Sequence, residues 1–244
     1  MVQSALITGA AKRIGKEIAI HLAKNHYNLA LHYGKSAQKA KDLAQMLQSE
    51  YGIKAITIQA DLSDETQVQK LIPQINDRFG TIDLLVNNAS CFLRDSWDDS
   101  PAAVWNENLA VNLRAPFLLS SAFAKQAPKG SLIVNMLDSK LENLTPAFTS
   151  YTVAKSGLYA LTKTLAQALA PNIRVNGIGP GHVIPSVHDT KETWEKAIEQ
   201  TALKHATSIA EIAQTILWMH NTPSLTGQMI MLDGGEHLGW KFPH

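Results

Sequence analysis

The chain has 244 residues, 45% of them hydrophobic, and a formal charge of +1, which suits one domain with a sizeable core and excludes a strong field for nucleic acid or an anionic membrane. A single cysteine, Cys91, excludes an internal disulfide framework. The sequence shows neither a basic leader before an apolar segment nor an apolar run of about 18 residues, so we expect a cytoplasmic protein whose partners are small molecules or copies of itself.

A glycine turn follows the first predicted strand, which runs from Val2 to Thr8. The turn is Thr8-Gly9-Ala10-Ala11-Lys12-Arg13-Ile14-Gly15, and a helical apolar pattern comes after it. Such a turn aims backbone N–H groups and the positive end of a helix at a phosphate. The spacing is T-G-x-x-x-R-x-G and not G-x-G-x-x-G, because Ala11 replaces the second glycine, so an ordinary strand-to-helix turn remains an alternative.

The end of the second predicted strand, Asn28 to Tyr33, bears on the choice of cofactor. Dinucleotide folds carry an acid here to bind a ribose 2′-hydroxyl, or a basic residue to accommodate a 2′-phosphate. No acid occurs from Asn28 to Lys41. Groups suited to a phosphate are instead supplied by Lys12, Arg13, Lys35 and Ser36. The sequence therefore favours NADPH over NADH, with solvated surface charge as the alternative role for Lys35.

Strand and helix patterns alternate along the rest of the chain. Further strands are predicted at Ile53–Gln59, Ile82–Val86, Ser131–Asn135, Ile173–Gly177 and Met229–Leu232, with a last helix around Ile209 to His220. This alternation predicts a doubly wound parallel α/β sheet in a single domain, 1–244. The polar stretch at about 182–207, which contains Trp194, predicts a lid over the ligand crevice.

Small polar residues follow several of these strands, on the side where open α/β sheets bind ligands. Asp61 and Leu62 follow the third strand, where Asp61 would accept from the adenine amine; capping of the next helix by Asp61 or Ser63 is equally compatible. Asn88-Ala89-Ser90 follows the fourth strand, and Gly179-Pro180-Gly181 follows the sixth. We expect these segments to line the cofactor crevice.

Tyr151 and Lys155 lie four residues apart in a long helical pattern, so they share one helix face. A lysine ammonium near a phenol favours the phenolate and lowers the tyrosine pKa, which would let the tyrosine transfer a proton at neutral pH. A solvated helix face is the alternative for the pair taken alone.

Five motifs in fixed order carry a family resemblance: Thr8 to Gly15, Asn87-Asn88-Ala89, Asn112, Tyr151-x-x-x-Lys155 and Pro180-Gly181. Across nearly its whole length the chain resembles the short-chain dehydrogenase/reductase family. The resemblance implies a Rossmann-like fold of seven parallel strands and usually a homotetramer. It also implies that Tyr151 donates a proton, that Lys155 binds the nicotinamide ribose and lowers the tyrosine pKa, and that Asn112 holds a relay water.

Asp138 departs from the family pattern, which places a carbonyl-polarising serine about thirteen residues before the tyrosine. A carboxylate accepts hydrogen bonds and repels a developing oxyanion, so it suits a substrate with N–H donors or one that needs a proton on a ring nitrogen. In the alternative interpretation, Asp138 is a displaced surface residue and Ser139 takes the serine's place.

The pteridine reductase subgroup combines this aspartate with other motifs found here. The chain looks like one of its members at Arg13, His32-Tyr33-Gly34-Lys35-Ser36, Asn88-Ala89-Ser90-Cys91-Phe92, Asp138, Gly177-Ile178-Gly179-Pro180-Gly181 and Asp233-Gly234-Gly235. The likeness implies a pterin sandwiched between the nicotinamide and Phe92, with Ser90 and Arg13 contacting the pterin or the cofactor phosphates. In two departures, Lys35 replaces an arginine and Phe148 replaces a tyrosine that would help to orient the aspartate.

These observations together predict two sets of ligand contacts. The predicted cofactor contacts are Gly9, Lys12, Arg13, Ile14, His32, Tyr33, Lys35, Ser36, Asp61, Leu62, Asn88, Ala89, Ser90, Tyr151, Lys155, Pro180 and Gly181. The predicted substrate contacts are Arg13, Ser90, Phe92, Asp138 and Tyr151. The leading hypothesis is NADPH-dependent reduction of a dihydropterin or dihydrofolate C=N bond; a carbonyl reductase of the 3-oxoacyl type and a catalytically idle NADPH-binding protein are the alternatives.

Other chemistry-bearing residues give weaker signals. The nine histidines show no H-E-x-x-H or C-x-x-C pattern, so we predict no metal site. Cys91 is more typical of a small packed hydrophobe than of a nucleophile. Trp194 and the terminal Leu238-Gly239-Trp240-Lys241 are compatible with a pocket lining, a subunit interface or an exposed tail.

Overall fold

Seven parallel strands form the central sheet, in the order β3-β2-β1-β4-β5-β6-β7. The computed structural model describes residues 3–186 and 188–239. The strands are β1 (Ser4–Ile7), β2 (Asn28–Tyr33), β3 (Ala55–Gln59), β4 (Leu84–Asn87), β5 (Ser131–Met136), β6 (Ile173–Pro180) and β7 (Met229–Leu232). Because β1 lies between β2 and β4, the strand order reverses there and a crevice opens at the carboxyl ends. The predicted doubly wound, seven-stranded parallel sheet is confirmed.

Helices cover both faces of the sheet. They are α1 (Arg13–Lys24), α2 (Ala37–Tyr51), α3 (Glu65–Phe79), α4 (Ala102–Leu109), α5 (Ala115–Ala124), α6 (Thr149–Leu169), α7 (Lys191–Glu199) and α8 (Ile209–His220). On one face Ile7 packs with apolar residues of α1, α2 and α8, and on the other Leu6 packs with those of α3, α5 and α6. Successive strand residues thus pack into two separate cores, because side chains alternate between the two faces of a strand.

The sixth strand extends beyond its predicted end at Gly177. Its last residues, Gly177 to Pro180, pair with Met229 to Leu232 of β7. A Cβ added to Gly179 would lie 2.8 Å from Met231 Sδ, so close packing between the strands accounts for this glycine. The segment expected to follow the strand therefore lies within it as far as Pro180. The first strand begins later than predicted, and Val2 lies outside the described residues.

Three helices lack a counterpart in the sequence-based prediction. Between β4 and β5 the chain forms α4 and α5, joined by a π-helical segment at Ala110–Arg114. The stretch predicted as a lid contains α7, whose start is fixed by a capping box between Thr190 and Thr193. Among the described residues, no helix combines the length and the apolarity needed to cross a bilayer.

Candidate active site

The glycine turn after β1 is held from behind by His32. The Gly9 N–H donates to His32 Nδ1 at 3.1 Å, and His32 Nε2 donates to the Ala60 carbonyl at 3.1 Å. The ring is therefore neutral with its proton on Nε2, and burial lowers its pKa to about 4. His32, predicted as a cofactor contact, is 2% exposed and uses both nitrogens to position the turn, so its side chain faces the protein interior.

Replacing His32 with alanine should lower the free energy of unfolding by about 2–4 kcal/mol, because it leaves the buried Ala60 carbonyl and the partly buried Gly9 N–H without their partner. Urea denaturation measures this change. His205→Ala is the control, since His205 is exposed and its loss should change stability by less than about 0.5 kcal/mol. A similarly small effect for His32→Ala would contradict the assigned role.

The turn is also clamped to the loop after β4. Thr8 Oγ1 accepts from the backbone N–H groups of Asn88 and Ala89, each at 2.9 Å, and Asn88 Nδ2 donates to the Thr8 carbonyl at 2.8 Å. Gly9 has φ +65°, and a Cβ added to Gly15 would lie 2.3 Å from the Gly9 carbonyl oxygen. Only glycine at both positions lets the helix begin this close to the strand, which leaves its N-terminus facing the crevice.

The segment after β2 places a hydroxyl and an ammonium at the edge of the crevice. Ser36 is the N-cap of α2, yet its side chain makes no capping hydrogen bond within the part of the chain that the structure describes. Lys35 is exposed beside it, and Tyr33 is half-buried at the end of the strand. A hydroxyl and an ammonium so placed can bind an anion such as a phosphate.

Asp61 and Leu62, the two cofactor contacts predicted after β3, differ in exposure: Asp61 is exposed and Leu62 is buried. Asp61 does not cap α3, and neither does Ser63: the helix begins at Glu65, and the Asp64 side chain accepts from the N–H groups of its first turn. Asp61 accepts instead from Ser63 N at 2.9 Å and Ser63 Oγ at 2.7 Å. These bonds, with Lys35 nearby, lower the pKa of Asp61. Leu62 is buried in the core, so its side chain does not line the crevice.

Asp138 and Tyr151 face each other at the carboxyl end of β5. The Tyr151 hydroxyl donates to Asp138 Oδ2 at 2.8 Å. Asp138 Oδ1 accepts from the Lys140 N–H at 2.8 Å, which fixes the carboxylate as the cap of the 3₁₀ turn Ser139–Leu141. Ser139, the alternative to Asp138, donates to Glu236 Oε2 at 3.1 Å. The carboxylate, and not the serine hydroxyl, is therefore the partner of the phenol.

Burial and Asp138, and not Lys155, dominate the pKa of Tyr151. Burial raises the pKa of Tyr151 well above its ordinary value, and the charge and hydrogen bond of Asp138 raise it further. Lys155 Nζ donates to the Met136 carbonyl at 2.7 Å and lies 5.6 Å from the centre of the Tyr151 ring. Burial lowers the pKa of Lys155 to about 8. The net effect of these surroundings is that Tyr151 keeps its proton at neutral pH, and the effect of Lys155 on the tyrosine pKa stays a prediction.

Asn112 lies in the π-helical segment, a kind of helix distortion often found at functional sites. Its Oδ1 accepts from Ser90 Oγ at 2.6 Å, and its Nδ2 donates to the Cys91 carbonyl at 2.9 Å. A hydrogen bond from Ser90 opposes the rise in the pKa of Tyr151. Asn112 thus orients a hydroxyl that lies beside the phenol. Burial raises the pKa of Cys91 to about 11, so this residue stays a thiol and is a poor nucleophile.

Phe92 stands at the centre of an aromatic group beside the phenol. Its ring stacks on that of Phe148 with centroids 4.1 Å apart and 16° between the planes. The Tyr151 ring meets Phe92 edge-on at 4.7 Å, and the His188 ring does so at 5.6 Å. Phe92 remains 37% exposed. Because Phe148 covers one face of Phe92, only the opposite face can stack against a ligand.

A cavity of about 530 Å³ joins these groups to the predicted lid. Its lining includes Phe92, Asp138 and Tyr151 on one side and His182, Ile184 and Trp194 on the other. Trp194, which the sequence left undecided, packs edge-on against His182 at 5.5 Å. Two other residues of that undecided group, Trp240 and Lys241, lie outside the described residues.

Arg13 and Gly181 both lie next to the segment predicted as a lid. Arg13 has φ +53°, and its guanidinium donates to the Pro185 carbonyl at 3.1 Å, so it bridges the glycine turn and the predicted lid. Gly181 follows Pro180 at the end of β6, where a Cβ would lie 2.8 Å from Asp233 Cα. The remaining turn residues differ in exposure: Lys12 is exposed, and Ile14 packs partly on the core.

Metal ligands are not grouped in the part of the chain that the structure describes. Residues 3–186 and 188–239 contain no set of three or more His, Cys, Asp or Glu side chains placed to hold an ion.

Taken together, the site offers a proton donor in Tyr151, a carboxylate acceptor in Asp138, the aromatic face of Phe92 and a glycine turn suited to an anion. Such a set can bind a flat heterocycle and protonate it.

Comparisons with known proteins match nearly the whole chain. The family model described as enoyl-(acyl carrier protein) reductase matches residues 9–237. FolM alternative dihydrofolate reductase 1 from Brucella canis, solved with NADP, has a TM-score of 0.94 and 40% identity, covering 99% of this chain and 96% of its own. Pteridine reductase 1 of Leishmania tarentolae is 32% identical over 279 residues, covering 96% of both sequences. The 3-oxoacyl-[acyl-carrier-protein] reductase FabG of Staphylococcus aureus is 29% identical over 248 residues, covering 98% of this chain and 99% of its own.

Proposed function

The chain belongs to the short-chain dehydrogenase/reductase family of oxidoreductases, and from that premise we propose that it reduces dihydropterins with NADPH. The observation that carries the proposal is the 2.8 Å hydrogen bond from the Tyr151 hydroxyl to the Asp138 carboxylate in the wall of the cavity. A phenol donor beside a carboxylate acceptor matches a ring that presents N–H groups and takes up a proton. The similarity to the Brucella canis and Leishmania tarentolae proteins supports this proposal over ketone reduction.

NADPH fits the residues of the crevice. Because Gly9 and Gly15 carry no Cβ, the glycine turn and the N-terminus of α1 can pack closely against the neighbouring backbone. A helix N-terminus held in this way suits a pyrophosphate. Lys35 and Ser36 offer a cation and a hydroxyl to the 2′-phosphate, and no acid lies between residues 28 and 41. When bound, NADPH supplies the hydride.

The residues of the chain supply the proton and the orientation. Tyr151 Oη holds a proton at neutral pH because its pKa is raised, and it would pass that proton to a ring nitrogen of the substrate. The Asp138 carboxylate would accept hydrogen bonds from N–H groups of the same ring. It would repel the oxyanion that develops when a ketone is reduced. Lys155, with a pKa of about 8, is cationic at pH 7 and would stabilise the phenolate that remains after the transfer.

Substrate stacking would fall to the face of Phe92 opposite Phe148. A flat heteroaromatic ring gains about 1 kcal/mol from such a stack beyond its area burial. The cavity of about 530 Å³ lies within the usual range for small-molecule sites.

The direct test is NADPH oxidation with dihydrobiopterin, dihydromonapterin and dihydrofolate as separate substrates. We expect turnover with at least one dihydropterin and use an acetoacetyl thioester as the comparison substrate. Absence of turnover with every pterin, together with reduction of the thioester, would contradict the proposal.

A carbonyl reductase of the 3-oxoacyl type is the second candidate, because the Staphylococcus aureus relative carries that name. Its reaction requires a hydroxyl donor beside Tyr151 to polarise a ketone. Ser139, which follows Asp138 in the sequence, donates its hydroxyl to Glu236, and this bond weighs against the function. A catalytically idle NADPH-binding protein is the third candidate, which tight NADPH binding without turnover on any of these substrates would support.

We also propose that the protein acts in the cytoplasm as a homotetramer. Phe117 on α5, Val153 on α6 and Trp218 on α8 are 44%, 44% and 50% exposed, and apolar surface of this kind favours contact between copies. Sedimentation velocity should show an assembly of four 26.7 kDa chains, and Phe117→Asp should shift it towards smaller species. A wild-type monomer at micromolar concentration would contradict the assembly.

A further inference from the structure

Asp95 lies in the loop between β4 and α4, behind the aromatic group. It is 4% exposed. Its two carboxylate oxygens accept from the Ser150 N–H, each at 3.1 Å, and Oδ2 also accepts from Ser100 Oγ at 2.8 Å. Ser150 directly precedes Tyr151 in the first turn of α6. A buried carboxylate is unfavourable unless it is hydrogen-bonded, so these bonds fix the start of the helix to the loop.

The backbone of Asp95 holds a second residue of the site. Its carbonyl accepts from the Phe148 N–H at 2.9 Å. Phe148 has φ +59°, a left-handed conformation that an L residue adopts only when its surroundings impose it. With the stack on Phe92, this bond secures that conformation. One residue therefore sets both the Phe148 ring and the helix turn that carries Tyr151.

Asn108 of α4 links the same loop to the same helix turn. Its Nδ2 donates to Ser150 Oγ at 2.7 Å and to the Leu93 carbonyl at 3.1 Å, and its Oδ1 accepts from Cys91 Sγ at 3.2 Å. Asn108 is fully buried. Ser150 is thus held by Asp95 at its N–H and by Asn108 at its hydroxyl. Phe92 lies between Cys91 and Leu93, the two loop residues that Asn108 contacts.

The charge of Asp95 suits its place. Burial would raise its pKa, but the hydrogen bonds from Ser150 and Ser100 outweigh burial and leave the pKa below its ordinary value. The carboxylate is therefore ionised at neutral pH. It lies at the N-terminus of α6, where the helix dipole favours a negative charge.

We propose that Asp95 is a positioning residue: it holds the Phe92–Phe148 stack and the Tyr151 hydroxyl in the relative geometry that orients a flat heterocycle for protonation. Asp95 acts through these three side chains, since it is not part of the cavity lining. The inference rests on the proposed function, because the heterocycle is the dihydropterin. Small misplacement of reacting groups is enough to reduce catalysis strongly.

The test compares Asp95→Ala, Asp95→Asn and Asp98→Ala in the full-length protein. Asp98 lies in the same loop and accepts only from the nearby Ser96 Oγ among the described side chains, so it is the matched control. Asp95→Ala should raise KM for the dihydropterin and lower kcat, together reducing kcat/KM about tenfold or more, with the Kd of NADPH within about twofold. Asp95→Asn should recover most of the loss, because its amide oxygen still accepts from the Ser150 N–H.

Unchanged kcat and KM in Asp95→Ala, or an equal loss in Asp95→Asn and Asp98→Ala, would overturn the inference. So would a parallel loss of NADPH affinity, which indicates a general structural defect. If Asp95→Ala does not fold, Ser100→Ala is the substitute, since it removes one hydrogen bond to the Asp95 carboxylate. It should raise KM for the dihydropterin about two- to fivefold, and an unchanged KM would overturn the inference.

A crystal structure of Asp95→Ala, or of Ser100→Ala in its place, separates this inference from the proposed function, because it needs no substrate. We expect the first turn of α6 to shift away from the loop, because the Ser150 N–H loses or weakens its bond to the side chain of residue 95, and the Phe148 ring to be displaced relative to Phe92. An unaltered aromatic group would overturn the inference. A wild-type protein that reduces no pterin, with the stack disrupted in the variant, would instead overturn only the proposed function.

Discussion

Replacing Tyr151 with phenylalanine should lower kcat for dihydropterin reduction about 10²- to 10⁴-fold, the range that a positioned general acid contributes. The hydroxyl is the group that donates to Asp138 at 2.8 Å, and its raised pKa keeps the transferable proton in place at neutral pH. Phenylalanine retains the ring and its edge contact with Phe92, so the Kd of NADPH and the thermal stability should change little.

Tyr159→Phe is the matched control for that measurement. Tyr159 lies two turns further along α6, where its ring is packed by Lys163 at 4.1 Å and does not line the cavity. It should keep wild-type kcat and KM. If Tyr151→Phe retains more than about one tenth of the wild-type kcat, another group donates the proton and the assignment of Tyr151 is wrong.

Replacing Asp138 with asparagine should lower kcat/KM for the dihydropterin about 10- to 150-fold, the equivalent of about 1.5–3 kcal/mol for hydrogen bonds to a charged group. Asparagine keeps the shape of the side chain but loses the charge and one acceptor oxygen. Asp138→Ser should reduce the dihydropterin activity further and raise activity on a ketone, since it supplies a hydroxyl donor. Steady-state kinetics with both substrate classes measure the change in preference.

Asp138→Asn should also change the pH dependence of the reductase activity. Asp138 raises the pKa of Tyr151 and also that of Lys155, so removal of its charge lowers both. Wild-type activity should fall as the pH rises through about 8, where Lys155 loses its proton. In Asp138→Asn the fall should occur at lower pH, because Tyr151 and Lys155 both lose their protons earlier. A fall at unchanged or higher pH would contradict the role of the carboxylate.

The sequence predicts the sheet well because burial on both faces leaves a clear pattern. The bounds of β2, β7 and α8 agree with the predicted ones, and parallel alternation then leaves few topologies. Helix α5 escaped prediction because Ala115–Ala124 is apolar on nearly all sides and has no stripe of helical period. In the predicted lid, the capping box formed by Thr190 and Thr193 marks the start of α7 and is the signal that could have predicted this helix.

The site was predictable where spacing alone brings groups together, as with Tyr151 and Lys155 on one face of α6. The direction of the Lys155 ammonium was not predictable, because residue spacing does not reveal that the ammonium donates to the Met136 carbonyl. Nor does sequence reveal how deeply the phenol is buried, which sets the sign of its pKa shift. Asp95 and Asn108 have no motif at all: their roles depend on a loop meeting a helix turn that lies more than forty residues away in sequence.

The most direct test of the central claim is a crystal structure with NADP⁺ and a dihydropterin analogue. We predict that ring N–H groups lie within about 3.2 Å of the Asp138 carboxylate, that the ring stacks on the face of Phe92 opposite Phe148, and that the Tyr151 hydroxyl reaches a ring nitrogen. A ring bound away from Asp138, with Ser139 turned towards the nicotinamide in its place, would contradict the claim.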